Sequence, residues 1–147
     1  MRKNNTQKFV ELFNFWAGRF GVSQDLEFTK DNRIDCSAAV VLDKTCKIIY
    51  NSKVLGQQKE SVVVSTVFHE LAHLILNLAY ATDSEILFSE YQAERWALDK
   101  MKKYYPKHYK DNNEHMRKRM KSRYWKKKNL VHWTAWKPIT EYGMVDS

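Results

Sequence analysis

Apolar residues recur at helical spacing from Thr6 to Phe20, where Phe9, Val10, Phe13, Trp16, Ala17 and Phe20 share one face. Gly21 follows as a stop. The period then shortens. Leu26-Glu27-Phe28-Thr29 alternates apolar and polar, and Ile34 to Leu42 contains Ala38-Ala39-Val40-Val41-Leu42. Asp43-Lys44-Thr45 makes a turn, and Lys47-Ile48-Ile49-Tyr50-Asn51 follows. The short connection between β-prone flanks predicts a hairpin. Lys47 to Asn51 is read either as an exposed edge that takes up an extended substrate by strand addition, or as an ordinary structural strand. Ser52 to Glu60 is polar and reads as a loop.

Longer helical patterns come next. Ser61 is placed to cap a helix reaching about Tyr80. Thr82-Asp83-Ser84-Glu85 has capping-box spacing and opens a second helix, which runs to about Tyr105 and is stopped by Pro106. Asp111-Asn112-Asn113-Glu114 looks like a further start, for a strongly basic helix to about Lys128. The end, Val131 to Ser147, is aromatic and irregular. The order is helix, small sheet, helix, helix, basic helix and tail, which is an α+β arrangement. One domain is expected over residues 1–129, with its core at 6–105, its basic helix at 111–128 and an aromatic tail at 130–147.

Composition narrows the class. At 147 residues, 44% hydrophobic and 14% aromatic, the chain has the size and content of one globular domain. Cys36 and Cys46 form no C-x-x-C pair, so reduced thiols in a cytoplasmic setting are expected. The most apolar stretch, Val62 to Tyr80, carries His69, Glu70, His73 and Asn77. Those side chains are costly in lipid, so it reads as a buried helix and no membrane partner is expected.

The same stretch holds the candidate chemistry. His69-Glu70-Leu71-Ala72-His73 is an H-E-x-x-H motif, which chance gives in a chain of this His and Glu content about 1% of the time. Residues four apart on a helix lie on one face, so both imidazoles reach one zinc ion. Glu70 sits beside them, placed to take a proton from an attacking water without being a ligand. Val63, Val64, Val67, Phe68, Leu71, Leu74, Ile75 and Leu78 make the surroundings apolar, and ligation would satisfy histidines buried there.

A catalytic zinc needs a third protein ligand. Asn77 stands where an H-E-x-x-H-x-x-x-H protein has its third histidine, and Ala79 where the longer metzincin pattern has one. Both patterns are disfavoured. Glu90 and Glu94 lie one turn apart on the next helix, where Ala93 and Ala97 are small enough to let it approach closely. Glu90 is the expected third ligand, and Glu94 the acceptor for a ligand imidazole N–H. Tyr80, Tyr91, His115 and His132 are candidates for an oxyanion donor.

From Ala38 to Met101 the chain resembles the ImmA/IrrE type of zinc metallopeptidase. The resemblance rests on a hairpin before His69-Glu70-Leu71-Ala72-His73-Leu74-Ile75-Leu76, then Glu90-Tyr91-Gln92-Ala93-Glu94-Arg95-Trp96-Ala97. It implies zinc ligands His69, His73 and Glu90, a catalytic Glu70, and helix-turn-helix transcriptional repressors as protein substrates. Ala72, Glu94 and Trp96 depart from that family's usual Gly, Asn or Asp, and Phe.

The net charge of +8 is regional. Residues 1–98 are near neutral, whereas 99–129 carry 13 basic and three acidic side chains. Arg117, Lys118, Arg119, Lys121, Arg123, Lys126, Lys127 and Lys128 make a face suited to phosphates, with Tyr124 and Trp125 able to stack on bases. A solvated helix packing its aromatics on the core is the plainer reading. His108 and His115, two turns apart, read as surface residues. Two other functions compete with a zinc peptidase acting on a free protein. One is a DNA-associated protease of SprT or WLM type, against which Asn77 speaks because SprT-like proteins usually take a third histidine. The other is a non-enzymatic module that keeps zinc for structure.

Overall fold

A computed structural model describes residues 4–42, 45–76 and 83–112 of the chain. The first helix, α1 (Asn5–Arg19), is set by its ends. Asn4 caps it, accepting from the Gln7 N–H while Gln7 accepts from the Asn4 N–H. At the other end Gly21 takes a positive φ of 78°. Its N–H donates to Gly18 and that of Val22 to Ala17, closing the last carbonyls as in a Schellman motif. Phe9, Phe13, Trp16 and Ala17 are the buried face, as the periodicity predicts.

The sheet has three strands, β1 (Leu26–Lys30), β2 (Ala38–Leu42) and β3 (Cys46–Tyr50), in the order β1-β3-β2. β2 and β3 form the expected antiparallel hairpin, with Ala38 opposite Tyr50 and Leu42 opposite Cys46. β1 runs parallel to β3 on its other side, Leu26 opposite Cys46. This corrects the reading of Lys47 to Asn51 as an edge: β3 is the central strand, with both its backbone edges paired. Cys36 lies beyond the β2 end that faces Tyr50, whereas Cys46 pairs at the opposite end of the ladder. That register keeps the two sulfurs too far apart to bridge, and both are free thiols.

Four further expectations are corrected. The polar stretch after β3 is not all loop, because Asn51 caps a short helix, α2 (Ser52–Gly56), accepting from the Lys53 and Val54 N–H groups. Asn51 also donates to the carbonyls of Asn32 and Ile34, pinning the segment that leads into β2. The strand proper begins at Ala38, not Ile34. The next helix, α3 (Glu60–Ile75), has Lys59 at its N-cap and ends at Ile75, so Ser61 is a buried helical residue and the helix stops short of Tyr80. Finally, α4 (Asp83–Tyr104) ends before Pro106 as expected, but residues 106–112 are helical again. Proline suits a first helical position, where its missing N–H would have had no partner. Asp111 and Asn112 therefore lie inside a helix rather than at its start. The rest of the basic helix, the aromatic tail, Asn77 and Ala79 lie outside the described residues.

α3 is the centre of the molecule. It packs against α1, β2 and α4. Val63, Val67, Phe68 and Leu71 are almost wholly buried beside Phe9, Phe13 and Ile48. Phe13 meets Phe28 of β1 edge-on at 5.6 Å, and Trp16 meets Phe68 at 5.4 Å. A helix buried on nearly every side must satisfy its own polar groups. The hydroxyls of Ser65 and Thr66 do so by donating to the Val62 carbonyl one turn back. No helix among the described residues is long and apolar enough to cross a membrane.

Candidate metal centre

Two polar residues of α3, His69 and His73, meet carboxylates of α4. His69, Glu70 and His73 follow one another around α3, and Glu90 and Glu94 lie one turn apart on α4. Ala93 and Ala97 of α4 and Ala72 of α3 are completely buried. Small residues at these positions keep the helix contact close enough for side chains to meet across it.

They meet in a compact array. The Nε2 atoms of His69 and His73 are 3.3 Å apart. Glu90 reaches both, its Oε2 lying 3.0 Å from His69 Nε2 and its Oε1 3.0 Å from His73 Nε2. On the far side of the first ring, Glu94 Oε1 stands 3.3 Å from His69 Nδ1. A carboxylate oxygen of Glu70 lies within 4.8 Å of a ring nitrogen of each histidine. Side-chain exposure falls from 17% at Glu90 and 13% at His69 to 6% at His73 and 1% at Glu94. Glu90 is thus the most exposed of the four and Glu94 the most deeply buried.

This geometry fits a tetrahedral cation. A metal ~2.0–2.1 Å from each of two nitrogens holds them ~3.3 Å apart, which is the separation here. Two histidines and a carboxylate are also a known donor set for catalytic zinc. Glu70 and Glu90 are both near enough to be the carboxylate. The shorter contacts, one oxygen to each Nε2, belong to Glu90, while Glu70 stands farther off. The expected third ligand, the expected base and the expected N–H acceptor are thus brought together around His69 and His73.

Charge in the array is strongly coupled. Burial pushes His69 toward neutrality, but the carboxylates of Glu94, Glu90 and Glu70 outweigh it and lift the imidazole to about 10. For Glu90 burial alone would raise the carboxyl, yet its bonds to His69 and His73 hold it far below the usual carboxylate range. Glu70 goes the other way. Its burial dominates, the histidines oppose it, and Glu90 and Glu94 add to it, leaving the group at about 7. A carboxyl poised near neutrality suits proton transfer.

One neighbour was not legible in the spacing. Burial pushes the Cys36 thiol up, and the charges of Glu70, Asp35 and Glu90 push it further. The segment before β2 therefore brings Cys36 into the field of the array, although it lies more than thirty residues from the motif. Of the oxyanion candidates, Tyr91 is fully buried, with the Arg95 guanidinium 5.6 Å from its ring centre. Tyr80, His115 and His132 lie outside the described residues. His108 is partly buried, its ring 5.9 Å from that of Tyr105.

No curated protein and no solved structure matches the chain. The model of the SprT-like family does, over residues 6–94. That span runs from the start of α1 through Glu94, more than half of the chain, and it includes the whole array. The match is to a zinc metallopeptidase-like family, and it is not to the ImmA/IrrE type that the motifs resemble. Asn77, read as speaking against a SprT-like protein, does not exclude one, since the family match spans that position. A match over that share of the chain shows the family: the chain belongs to the SprT-like family.

Proposed function

We propose that this protein is a zinc-dependent peptidase that hydrolyses a peptide bond in a protein substrate. The observation that carries the reading is the placing of Glu90 across the two Nε2 atoms, with buried Glu70 alongside. His69, His73 and Glu90 would hold the ion. Zinc bound there supplies a Lewis acid that polarises a carbonyl and brings the pKa of water to ~7. Glu70 accepts the proton of the attacking water and passes it to the departing amine. Glu90, the most exposed member of the array, marks the side from which a substrate would approach.

Family membership and charge favour a substrate held on DNA over a free transcriptional repressor. The region 99–129 carries a net +10, and its run Arg117-Lys118-Arg119, Lys121, Arg123 and Lys126-Lys127-Lys128 suits a phosphate backbone. The free thiols of Cys36 and Cys46 fit the reducing cytoplasm. A single set of measurements tests these assignments. Bound zinc is measured in the wild type, His69→Ala and Glu90→Ala. Cleavage of a DNA-binding protein is then followed with and without DNA, with Glu70→Gln as control. Both ligand variants should lose zinc, and DNA should accelerate cleavage by the wild type. Full zinc affinity in Glu90→Ala would overturn the third ligand. Zinc without any cleavage that Glu70→Gln abolishes would favour a structural metal in a binding module. Equal rates with and without DNA would favour a free protein substrate such as a repressor.

A further inference from the structure

The most exposed large apolar side chain among the described residues, Phe15 at 58%, is the outer end of a continuous set of rings. It meets Trp16 edge-on at 5.1 Å. Trp16 is buried, stacks on Phe20 at 5.5 Å and touches Tyr104 at 4.5 Å. Phe20 in turn meets Trp96 edge-on at 5.3 Å. Trp16 therefore belongs to the core, whereas Phe20, Trp96 and Tyr104 are only partly buried and keep some of their surface in water.

Cations border these rings. Lys100 Nζ lies 5.4 Å from the ring centre of Trp96 and 5.7 Å from that of Phe20, and Lys103 Nζ lies 5.2 Å from that of Tyr104. Asp99 stands 3.6 Å from Lys100 and offsets part of that charge. Positive charge still prevails, because residues 99–112 hold five lysines and two aspartates and Arg19, at the end of α1, is exposed. An apolar partner would cover the rings and strand the ammonium groups. A simple anion would satisfy the ammonium groups and leave the rings in water. Unpaired nucleic acid satisfies both, since its bases stack on aromatic side chains while its phosphates meet the lysines. A duplex offers the phosphates alone, its base faces being already stacked on one another.

We infer that Phe15, Phe20, Trp96 and Tyr104, bordered by Lys100 and Lys103, form a binding site for single-stranded DNA. The site deepens the reading of a substrate held on DNA and rests on that reading for its purpose. Trp96 lies six residues beyond Glu90 on α4, ~9 Å along the helix axis. A strand bound there brings a protein attached to it within reach of the metal centre.

The test uses the full chain without zinc, so that binding is read apart from cleavage. Fluorescence anisotropy follows a labelled oligothymidylate and a duplex of equal length over a range of salt, with melting temperature as the check on folding. Phe15→Ser alters an exposed ring and should leave the fold intact. It should weaken oligothymidylate binding ~5–150-fold, the worth of one base stack, with duplex binding unchanged. Trp96→Leu should do the same. Lys100→Gln combined with Lys103→Gln should reduce the slope of log affinity against log salt by about 1.4, the counterions of two phosphate contacts on a single strand. Unchanged affinity in both ring variants overturns the inference, whatever the lysines do. So does an equal loss on oligothymidylate and duplex in Phe15→Ser, because bases are then not being stacked. Tighter binding of polyglutamate than of oligothymidylate, lost in the same variants, overturns it in favour of an acidic protein partner. The two levels of the reading separate cleanly. Cleavage that DNA fails to accelerate, with oligothymidylate still bound through the rings, sinks the DNA-held substrate alone. DNA-accelerated cleavage with unaltered binding in both ring variants sinks this site alone.

Discussion

The two sides of α3 are built on opposite principles. Toward α1 and the sheet it presents Val63, Val67, Phe68 and Leu71 to Phe9, Phe13, Trp16 and Ile48, with no charge between them. Toward α4 it presents two histidines to two carboxylates, in a space nearly as dry. On the first side the driving force is apolar area, non-directional and roughly proportional to what is removed from water. On the second, each group is tolerated only because another stands about 3 Å away, and removing one leaves its partner buried and uncompensated. The first side tolerates changes of shape within limits of volume. The second tolerates almost none, and that intolerance holds four polar side chains in one arrangement.

Substitutions can break this comparison, beginning with the largest effect. Glu70→Gln should lower cleavage ~10²–10⁴-fold while the protein still folds and still binds zinc, read as turnover against bound metal. A parallel loss of zinc would mean that Glu70 is a ligand. Phe13→Ala, on the apolar side, should cost ~3–5 kcal/mol of unfolding free energy by denaturant titration. At temperatures where it stays folded, its zinc affinity should match the wild type. A large fall in affinity there would show that the two sides of α3 are not separable. Ile48→Val in the central strand is gentler, at ~0.5–1.5 kcal/mol, again with the metal centre untouched.

The smallest effect lies at the surface, on neither side of α3. Arg33 donates to both oxygens of Asp31 and holds that carboxyl at about 2, mainly through these side-chain bonds and helped by the Arg33 backbone N–H. A folded-state pKa below the unfolded value of 3.8 means the pair contributes above that pH. Its contribution is lost as pH falls toward 2. Both groups are solvated, so the effect should be visible as a titration shift by NMR and barely at all in melting temperature. Arg33→Ala should return Asp31 toward the ordinary range. An unchanged Asp31 titration would show that the paired geometry is not held in solution.

Much of this was written in local spacing. The buried face of α1, the hairpin and the H-E-x-x-H pair all follow from residues three, four or two apart, and such periods report on a neighbour in sequence. Helix α2 was missed because its stretch is short and polar. It is held by the four hydrogen bonds of Asn51, whose partners at Asn32 and Ile34 are distant in the chain. The strand order was not legible for a related reason. An apolar run does not say which strand will lie on its other edge, and β1 reaches β3 only by a parallel pairing across twenty residues.

The same division runs through the metal centre. By itself the sequence determined that His69 and His73 share a face, that Glu70 stands beside them, and that Glu90 and Glu94 repeat one turn apart, because helix geometry fixes all three. Only the tertiary structure decided that Glu90 spans the two Nε2 atoms while Glu94 stands behind His69 at Nδ1. That depends on how closely and at what rotation α4 packs on α3. It is set by the volumes of Ala72, Ala93 and Ala97 at the contact, and no spacing along one chain segment encodes a distance between two.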